Sequence, residues 1–134
     1  MVGVIVATSI LVSALAGAQS ATPGDYASPA GDWRGMSVCQ VKRSACNDED
    51  SLYHVRAIAG KQRAFELQAD KIVDGRPVTM GTSLCDLGFD GRLACAISKG
   101  TTLVFDLRGD ELRGTMKLAN GTVWRKLTLK RQRR

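Results

Sequence analysis

The stretch TTLVFDLRGDELRGTMKL, which runs from Thr101 to Leu118, decides the fold class of this chain. Apolar side chains alternate with mostly polar ones on either side of Gly109-Asp110, and a period of two is typical of half-buried strands. Gly and Asp favour a turn because they tolerate a positive φ. The stretch therefore predicts a β-hairpin with two inward-facing sets of side chains: Leu103, Phe105 and Leu107 before the turn, and Leu112, Met116 and Leu118 after it.

The same pattern extends in both directions, from Asp32 to Lys130. Short runs of alternating or β-branched residues are separated by turn signals, and no window has the period of a helix. The pattern predicts eight strands: Trp33–Val41, Leu52–Ala59, Ala64–Val73, Val78–Leu87, Arg92–Lys99, Thr102–Arg108, Leu112–Leu118 and Thr122–Lys130. Short connections favour antiparallel neighbours. We predict an all-β fold, an eight-stranded antiparallel up-and-down β-barrel in meander order, since the alternative two-sheet sandwich needs a long crossover.

Four cysteines indicate two disulfides, because an even number in a small exported chain is typical of a disulfide framework. A three-residue loop at 89–91 with Gly91 in the left-handed conformation would place Cys85 opposite Cys95. We therefore predict the two local disulfides Cys39–Cys46 and Cys85–Cys95. The alternative is a zinc site, but its ligand pairs are normally two to four residues apart, whereas six and nine residues separate these cysteines. We expect no metal and no cofactor.

The N-terminal segment predicts export. Residues 1–18 are uncharged, small or apolar, and end in Ala16-Gly17-Ala18, a sequence typical of signal-peptidase cleavage. We interpret 1–18 as a signal peptide, 19–31 as a flexible N-terminal arm, 32–130 as the barrel domain and 131–134 as a basic tail. The alternative is a retained membrane anchor, for which the segment is short and only weakly apolar. The expected location is secreted or periplasmic, with no stable membrane insertion after cleavage.

The net charge of +6 comes from the C-terminal end. Residues 125–134 contain six of the 19 Lys and Arg residues and no acid, which leaves 13 cations against 13 acids in the rest of the chain. A basic face over the whole domain is therefore excluded, and an aromatic content of 5% offers no base-stacking platform. We expect no nucleic-acid partner. Two interpretations of the tail stay open: weak binding to anionic surfaces, or a solubilising end.

A motif near the start of the domain carries a resemblance. Gly31-Asp32-Trp33 resembles the G-x-W signature on the first strand of the calycins, which include lipocalins, fatty-acid-binding proteins, avidins and a family of secreted bacterial protease inhibitors. In calycins a basic residue on the last strand packs over this tryptophan and closes one barrel end. Arg125 stands where that residue would be, on an inward face where a cation needs a partner. The resemblance implies a calycin-like barrel closed by Trp33 and Arg125.

A wider pattern is similar to small exported bacterial proteins of unassigned function. This similarity supports export of the protein but indicates no molecular mechanism. It consists of Gly31, Trp33, Gly35, Ser37, Cys39, Cys46, Asp48, Glu49 and Tyr53.

The alternation also predicts a ligand site inside the barrel. Eight strands enclose an interior that is filled by side chains or holds one small ligand. Polar and apolar side chains at inward positions form the candidate site: Ser37, Ser83, Thr79, Phe65, Phe105 and Met116. The alternative is ordinary hydroxyl pairing between strands. The single histidine, His54, follows three acids at 48–50, but the favoured interpretation is a solvated loop and a strand-surface histidine rather than a metal or general-base site.

No catalytic residues are predicted, because His54 is the only histidine in the chain that could act as the base for a serine nucleophile, and no G-x-S-x-G motif occurs. We expect a secreted, non-catalytic binding protein, a carrier of a small apolar ligand. The alternative is an inhibitor or other protein-binding module that acts on a secreted hydrolase through residues 19–31 and the loop Lys42–Ser51. The expected partner is a small molecule or a secreted or periplasmic protein. An uncharacterised structural role in the envelope stays open.

Overall fold

The protein folds into one closed antiparallel β-barrel. A computed structural model describes residue 3 and residues 28–42 and 45–133. The eight strands are β1 Gly31–Cys39, β2 Glu49–Ala57, β3 Ala64–Val73, β4 Arg76–Leu87, β5 Arg92–Ser98, β6 Thr101–Arg108, β7 Glu111–Lys117 and β8 Val123–Arg131. Each pairs with the next in sequence, and β1 pairs with β8 to close the barrel. The predicted all-β meander barrel is confirmed, and strand ends differ from the predicted ones by at most three residues.

Short turns connect most neighbouring strands, as the turn chemistry requires. Gly75, Gly91, Gly109 and Gly121 all have a positive φ in turns that the sequence predicts. The loop before Gly91 sets the expected register, because Cys85 lies directly opposite Cys95 and Leu87 opposite Leu93. The disulfides Cys39–Cys46 and Cys85–Cys95 are both present, with Cα atoms 5.9 and 4.1 Å apart, so the predicted pairing is confirmed.

Alternate residues of the strands fill one half of the barrel with a packed apolar core. The largest side chains of this core are completely buried. Gly114 of β7 stands opposite Phe105 of β6, and a Cβ at Gly114 would lie 2.7 Å from the phenyl ring. The absence of a side chain therefore makes room for the ring. The fully buried core residues include Trp33, Val55, Leu93, Phe105, Leu112 and Leu129.

The packed end of the barrel is closed by Trp33 and Arg131. The Trp33 indole donates a hydrogen bond from Nε1 to the Pro29 carbonyl at 2.9 Å, and the Arg131 guanidinium carbon lies 4.2 Å from the ring centre. Arg131 also donates to the carbonyls of Ala30 at 2.8 Å and Ser28 at 3.0 Å. The guanidinium thus covers the indole and ties the segment before β1 to the end of β8.

The prediction that Arg125 covers Trp33 is wrong, and so is the prediction that the basic tail begins at Arg131. The β1–β8 register pairs Trp33 with Arg131 and Cys39 with Arg125, which puts Arg125 at the opposite end of the barrel. Arg131 is the last residue of β8 rather than part of a tail. A cation on the last strand does cover Trp33, but it is Arg131, which lies six residues after the predicted Arg125.

Gly31 shows why the opening motif begins with glycine. Its φ of 143° disfavours a residue with a side chain, and a Cβ there would lie 3.0 Å from the Arg131 guanidinium. The glycine therefore lets the chain enter β1 beneath the cation that covers Trp33.

Candidate functional site

A cavity of about 370 Å³ occupies the half of the barrel opposite the Trp33 end. Its lining comes from β2 to β7, whereas β1 and β8 contribute none of it. Most of the lining is apolar, and the polar groups are hydroxyls and backbone. The residues that line it are Tyr53, Leu67, Ala69, Met80, Gly81, Thr82, Ser83, Ile97, Ser98, Leu103 and Met116.

β4 and β5, which both line the cavity, pair along only part of their length. Their ladder runs from Leu84 opposite Ala96 to Leu87 opposite Leu93, although β4 begins at Arg76. Between residues 80–83 of β4 and 97–98 of β5 the strands do not pair, and both segments line the cavity. We call this unpaired stretch the β4–β5 seam.

A β-bulge at Met80 sets which β4 side chains face the cavity. Gly81 is opposite Ala69 and Thr79 is opposite Asp70, so Met80 is the extra residue between them. Met80 lines the cavity and is 44% exposed. Because the bulge reverses the alternation, Thr79 is exposed and lies near the Gln68 amide at 3.4 Å. The prediction that Thr79 faces the interior is therefore wrong.

The other predicted ligand residues fall into two groups. Ser83 and Met116 line the cavity. Phe65 and Phe105 are buried in the packed core and Ser37 is buried on β1, and none of the three lines the cavity. Whether Ser83 and Met116 contact a ligand stays a prediction.

Arg125 has the partner that its inward position requires. It donates to the Ser37 hydroxyl at 3.2 Å and to the Asn47 carbonyl at 2.9 Å, and its Nη2 lies 3.4 Å from the Glu49 carboxylate. These groups form a charge-neutral polar cluster where β1, β2 and β8 meet at the cavity end. Glu49 and Arg125 are close enough to Tyr53 to affect its titration in opposite directions.

Tyr53 is the polar side chain that the sequence analysis did not place in the site. It lines the cavity, is 3% exposed, and its ring packs edge-to-face on Phe105 with centroids 6.1 Å apart. Burial, reinforced by the Glu49 charge and opposed by Arg125, raises the pKa of the Tyr53 hydroxyl to about 12. The signal was present in the alternation, since Tyr53 shares an inward face with Val55.

His54 lies on the outer surface between two carboxylates. Its Nδ1 is 2.8 Å from Asp32 of β1 and its Nε2 is 3.0 Å from Asp70 of β3. The hydrogen bond between Asp32 and His54 is the largest influence on the Asp32 carboxyl and holds the pKa of that carboxyl below its usual value. Burial raises the pKa of Asp70, but hydrogen bonds from Thr79, Gln68 and His54 outweigh it and the net direction is also downward.

This cluster forms a clamp across three strands, because His54 of β2 joins Asp32 of β1 to Asp70 of β3. Both ring nitrogens of His54 lie within hydrogen-bonding distance of a carboxylate. The acids considered as its partners are engaged elsewhere: Asp48 accepts from the Cys39 amide at 2.8 Å, and Asp50 pairs with Arg34 at 2.8 Å. In the described ranges, no group of three or more His, Cys, Asp or Glu side chains could hold a metal ion.

The predicted termini lie largely beyond the described residues. The predicted signal peptide 1–18, apart from Gly3, and residues 19–27 of the predicted arm lie outside the described residues, as does Arg134. Of the arm, residues 28–31 are described, and they lie against Trp33 and Arg131 at the closed end. Within the part of the chain that the structure covers, no helix has the length and hydrophobicity needed to span a membrane.

Fold and site together define a class: a disulfide-linked, eight-stranded meander barrel that is packed at one end and hollow at the other. The barrel is consistent with the calycin resemblance. Comparison with models of protein families and with curated proteins finds no match.

Proposed function

We propose that this protein is an exported, non-catalytic binding protein that carries one small apolar ligand in the barrel. The observation that supports this most strongly is the cavity of about 370 Å³. Ligand pockets in proteins measure about 300–1,000 Å³ and are mainly apolar with a few placed polar groups. An interior packed solid from end to end would have argued against a carrier.

The lining favours a compact ligand. Benzene occupies an engineered apolar cavity of about 150 Å³, so a cavity of this size suits a bicyclic ring or a short branched chain. Leu67, Ile97, Leu103 and Met116 supply apolar contact on several sides. The β4–β5 seam supplies a route into the interior, because no backbone ladder crosses it.

Export is part of the proposal. The two disulfides are compatible with an oxidising compartment, where such bonds form and persist. The N-terminal sequence, with its apolar run and its Ala16-Gly17-Ala18 site, agrees with secretion or transfer to a periplasm.

Filling the cavity tests the proposal. Gly81 lines the cavity, and a Cβ built there meets no atom within 4 Å, so Gly81→Leu has room for its Cβ and would add an apolar side chain to the ligand volume. The probe is N-phenyl-1-naphthylamine, an uncharged dye whose fluorescence increases in apolar sites. We expect saturable binding to the mature wild-type protein and a loss of affinity of roughly tenfold or more in Gly81→Leu, since the side chain displaces the dye.

Ala96→Leu is the matched control. Ala96 is an exposed residue on the outer face of β5, so the variant adds a similar apolar group away from the cavity. Its dye affinity should equal that of the wild type. Equal dye affinity in Gly81→Leu and the wild type, with both proteins folded by circular dichroism, would contradict the proposed function, and so would an absence of saturable binding.

A further inference from the structure

We propose that the ligand carries an uncharged hydrogen-bond acceptor, such as a carbonyl or ether oxygen, that accepts a hydrogen bond from the Tyr53 hydroxyl. This inference rests on the proposed function and specifies the chemical class of the ligand. It concerns the one buried phenol that lines the cavity within the described part of the chain.

The Tyr53 hydroxyl has no hydrogen-bond partner among the residues that the structure describes. Among the residues that the structure describes, no side chain or backbone group makes a hydrogen bond with it, although only 3% of the residue is exposed. Buried tyrosine hydroxyls usually find a partner. Among the described residues, the fully enclosed side-chain oxygen without a partner is Ser51 Oγ, so the Tyr53 hydroxyl is open to the cavity, where an acceptor can replace water as its partner. A ligand in the cavity is positioned to supply the missing acceptor.

The position of the donor is fixed before a ligand arrives. Tyr53 lies within β2, which is paired on both sides, and its ring packs edge-to-face on the completely buried Phe105. A donor held in this way loses little conformational freedom on binding, which favours recognition of an acceptor at a defined place. Burial also raises the pKa of the hydroxyl to about 12, so the group remains a donor at neutral pH.

The surroundings favour an acceptor without charge. No charged side chain is among the described residues that line the cavity. Glu49 and Arg125, the two charges that act on Tyr53, pair with each other, and Arg125 also donates hydrogen bonds to Ser37 and Asn47. A carboxylate or ammonium group in the cavity would lose its hydration without gaining a counter-charge. The other polar side chains of the lining, Thr82, Ser83 and Ser98, are neutral hydroxyls.

Two isosteric ligands and two isosteric proteins isolate this hydrogen bond. The ligands are 2-acetylnaphthalene and 2-isopropylnaphthalene, which have the same number of heavy atoms and differ in the carbonyl. The proteins are the wild type and Tyr53→Phe, which removes only the hydroxyl. Each ligand competes with N-phenyl-1-naphthylamine, and the four dissociation constants form a double-mutant cycle.

We expect Tyr53→Phe to weaken the ketone by about 3- to 10-fold while the hydrocarbon changes by less than about 2-fold, as for the loss of one neutral hydrogen bond. The infrared carbonyl band of the bound ketone should lie at lower wavenumber in the wild type than in Tyr53→Phe. That band reports the hydrogen bond itself, so a general loosening of the barrel would not reproduce the shift. The anion 2-naphthoate should bind more weakly than the ketone.

The outcomes separate this inference from the proposed function. If both naphthalenes displace the dye and Tyr53→Phe affects them equally, the Tyr53 assignment is overturned while the carrier function stands. Tightest binding by 2-naphthoate would overturn the requirement for an uncharged ligand. If neither naphthalene nor the dye binds to the wild type, the proposed function and the inference both fail.

Discussion

Replacing Arg131 by alanine should destabilise the barrel by about 3 kcal/mol, because this side chain makes several contacts at the closed end. The cation–π contact with Trp33, at 4.2 Å, contributes about 0.5–2 kcal/mol. The hydrogen bonds to the carbonyls of Ser28 and Ala30, at 3.0 and 2.8 Å, contribute about 1 kcal/mol each. The ion pair with Asp110, whose side chain is 66% exposed, adds at most about 0.5 kcal/mol.

Urea unfolding under non-reducing conditions measures this loss. With a slope of about 1.5 kcal/mol per molar, a loss of about 3 kcal/mol lowers the midpoint by about 2 M. Arg131→Lys should lie between the wild type and alanine, since it keeps the charge and loses the planar stacking surface. Arg133→Ala is the control: Arg133 is exposed and makes no ion pair or hydrogen bond with any described residue, so its midpoint should not change. Equal midpoints for the Arg131 and Arg133 alanine variants would refute the assignment of Arg131 as the closing cation.

Two further predictions concern the disulfides and acid stability. Removing Cys85–Cys95 by double alanine substitution should lower the free energy of unfolding more than removing Cys39–Cys46. The two loop entropies are similar, about 2.5 kcal/mol each, but Cys85 and Cys95 are also buried and hold the short β4–β5 ladder. Equal losses of stability in urea unfolding would contradict this account. The prediction on acid stability concerns Asp32 and Asp70, whose pKa values are lowered in the native state. Their contribution to the free energy of unfolding is complete above the pKa of an unfolded aspartate, about 3.9, and is lost as the pH falls through the native pKa. Unfolding free energy should therefore fall from about pH 5 to about pH 2, and Asp70→Asn should flatten that slope; a slope identical to wild type would show that the clamp on His54 contributes nothing to acid stability.

The sequence predicted the features that depend on local pattern. Strand order, the turns and the Cys85–Cys95 register follow from a period of two and from glycines a few residues away in the chain. The Arg131 assignment could not follow in this way, because the register between β1 and β8 is set by closure of the whole barrel. A shift of six residues along β8 preserves the inward face, so alternation alone does not distinguish Arg125 from Arg131.

The site was harder to predict because it depends on irregularity. Thr79 was predicted at an inward position together with Ser83, and the bulge at Met80 reverses the alternation between these two residues. The bond between His54 and Asp70 runs diagonally across two strands and needs the β2–β3 register, which places Gln68 rather than Asp70 opposite His54. Tyr53 was in the predicted pattern, but only the folded barrel shows that it lines the cavity.

The β4–β5 seam explains how the barrel combines a cavity with a stable closed sheet. An unpaired strand segment beside an apolar interior invites pairing with other chains, and proteins protect such edges with charge, proline and bulges. The unpaired part of β4 has all three, since it begins Arg76-Pro77 and has a bulge at Met80. The Cys85–Cys95 bond lies within the short ladder beyond it and fixes where pairing resumes. The unpaired stretch therefore has a disulfide at one end and residues that resist strand pairing along β4, an arrangement that agrees with the entrance required by the proposed carrier function.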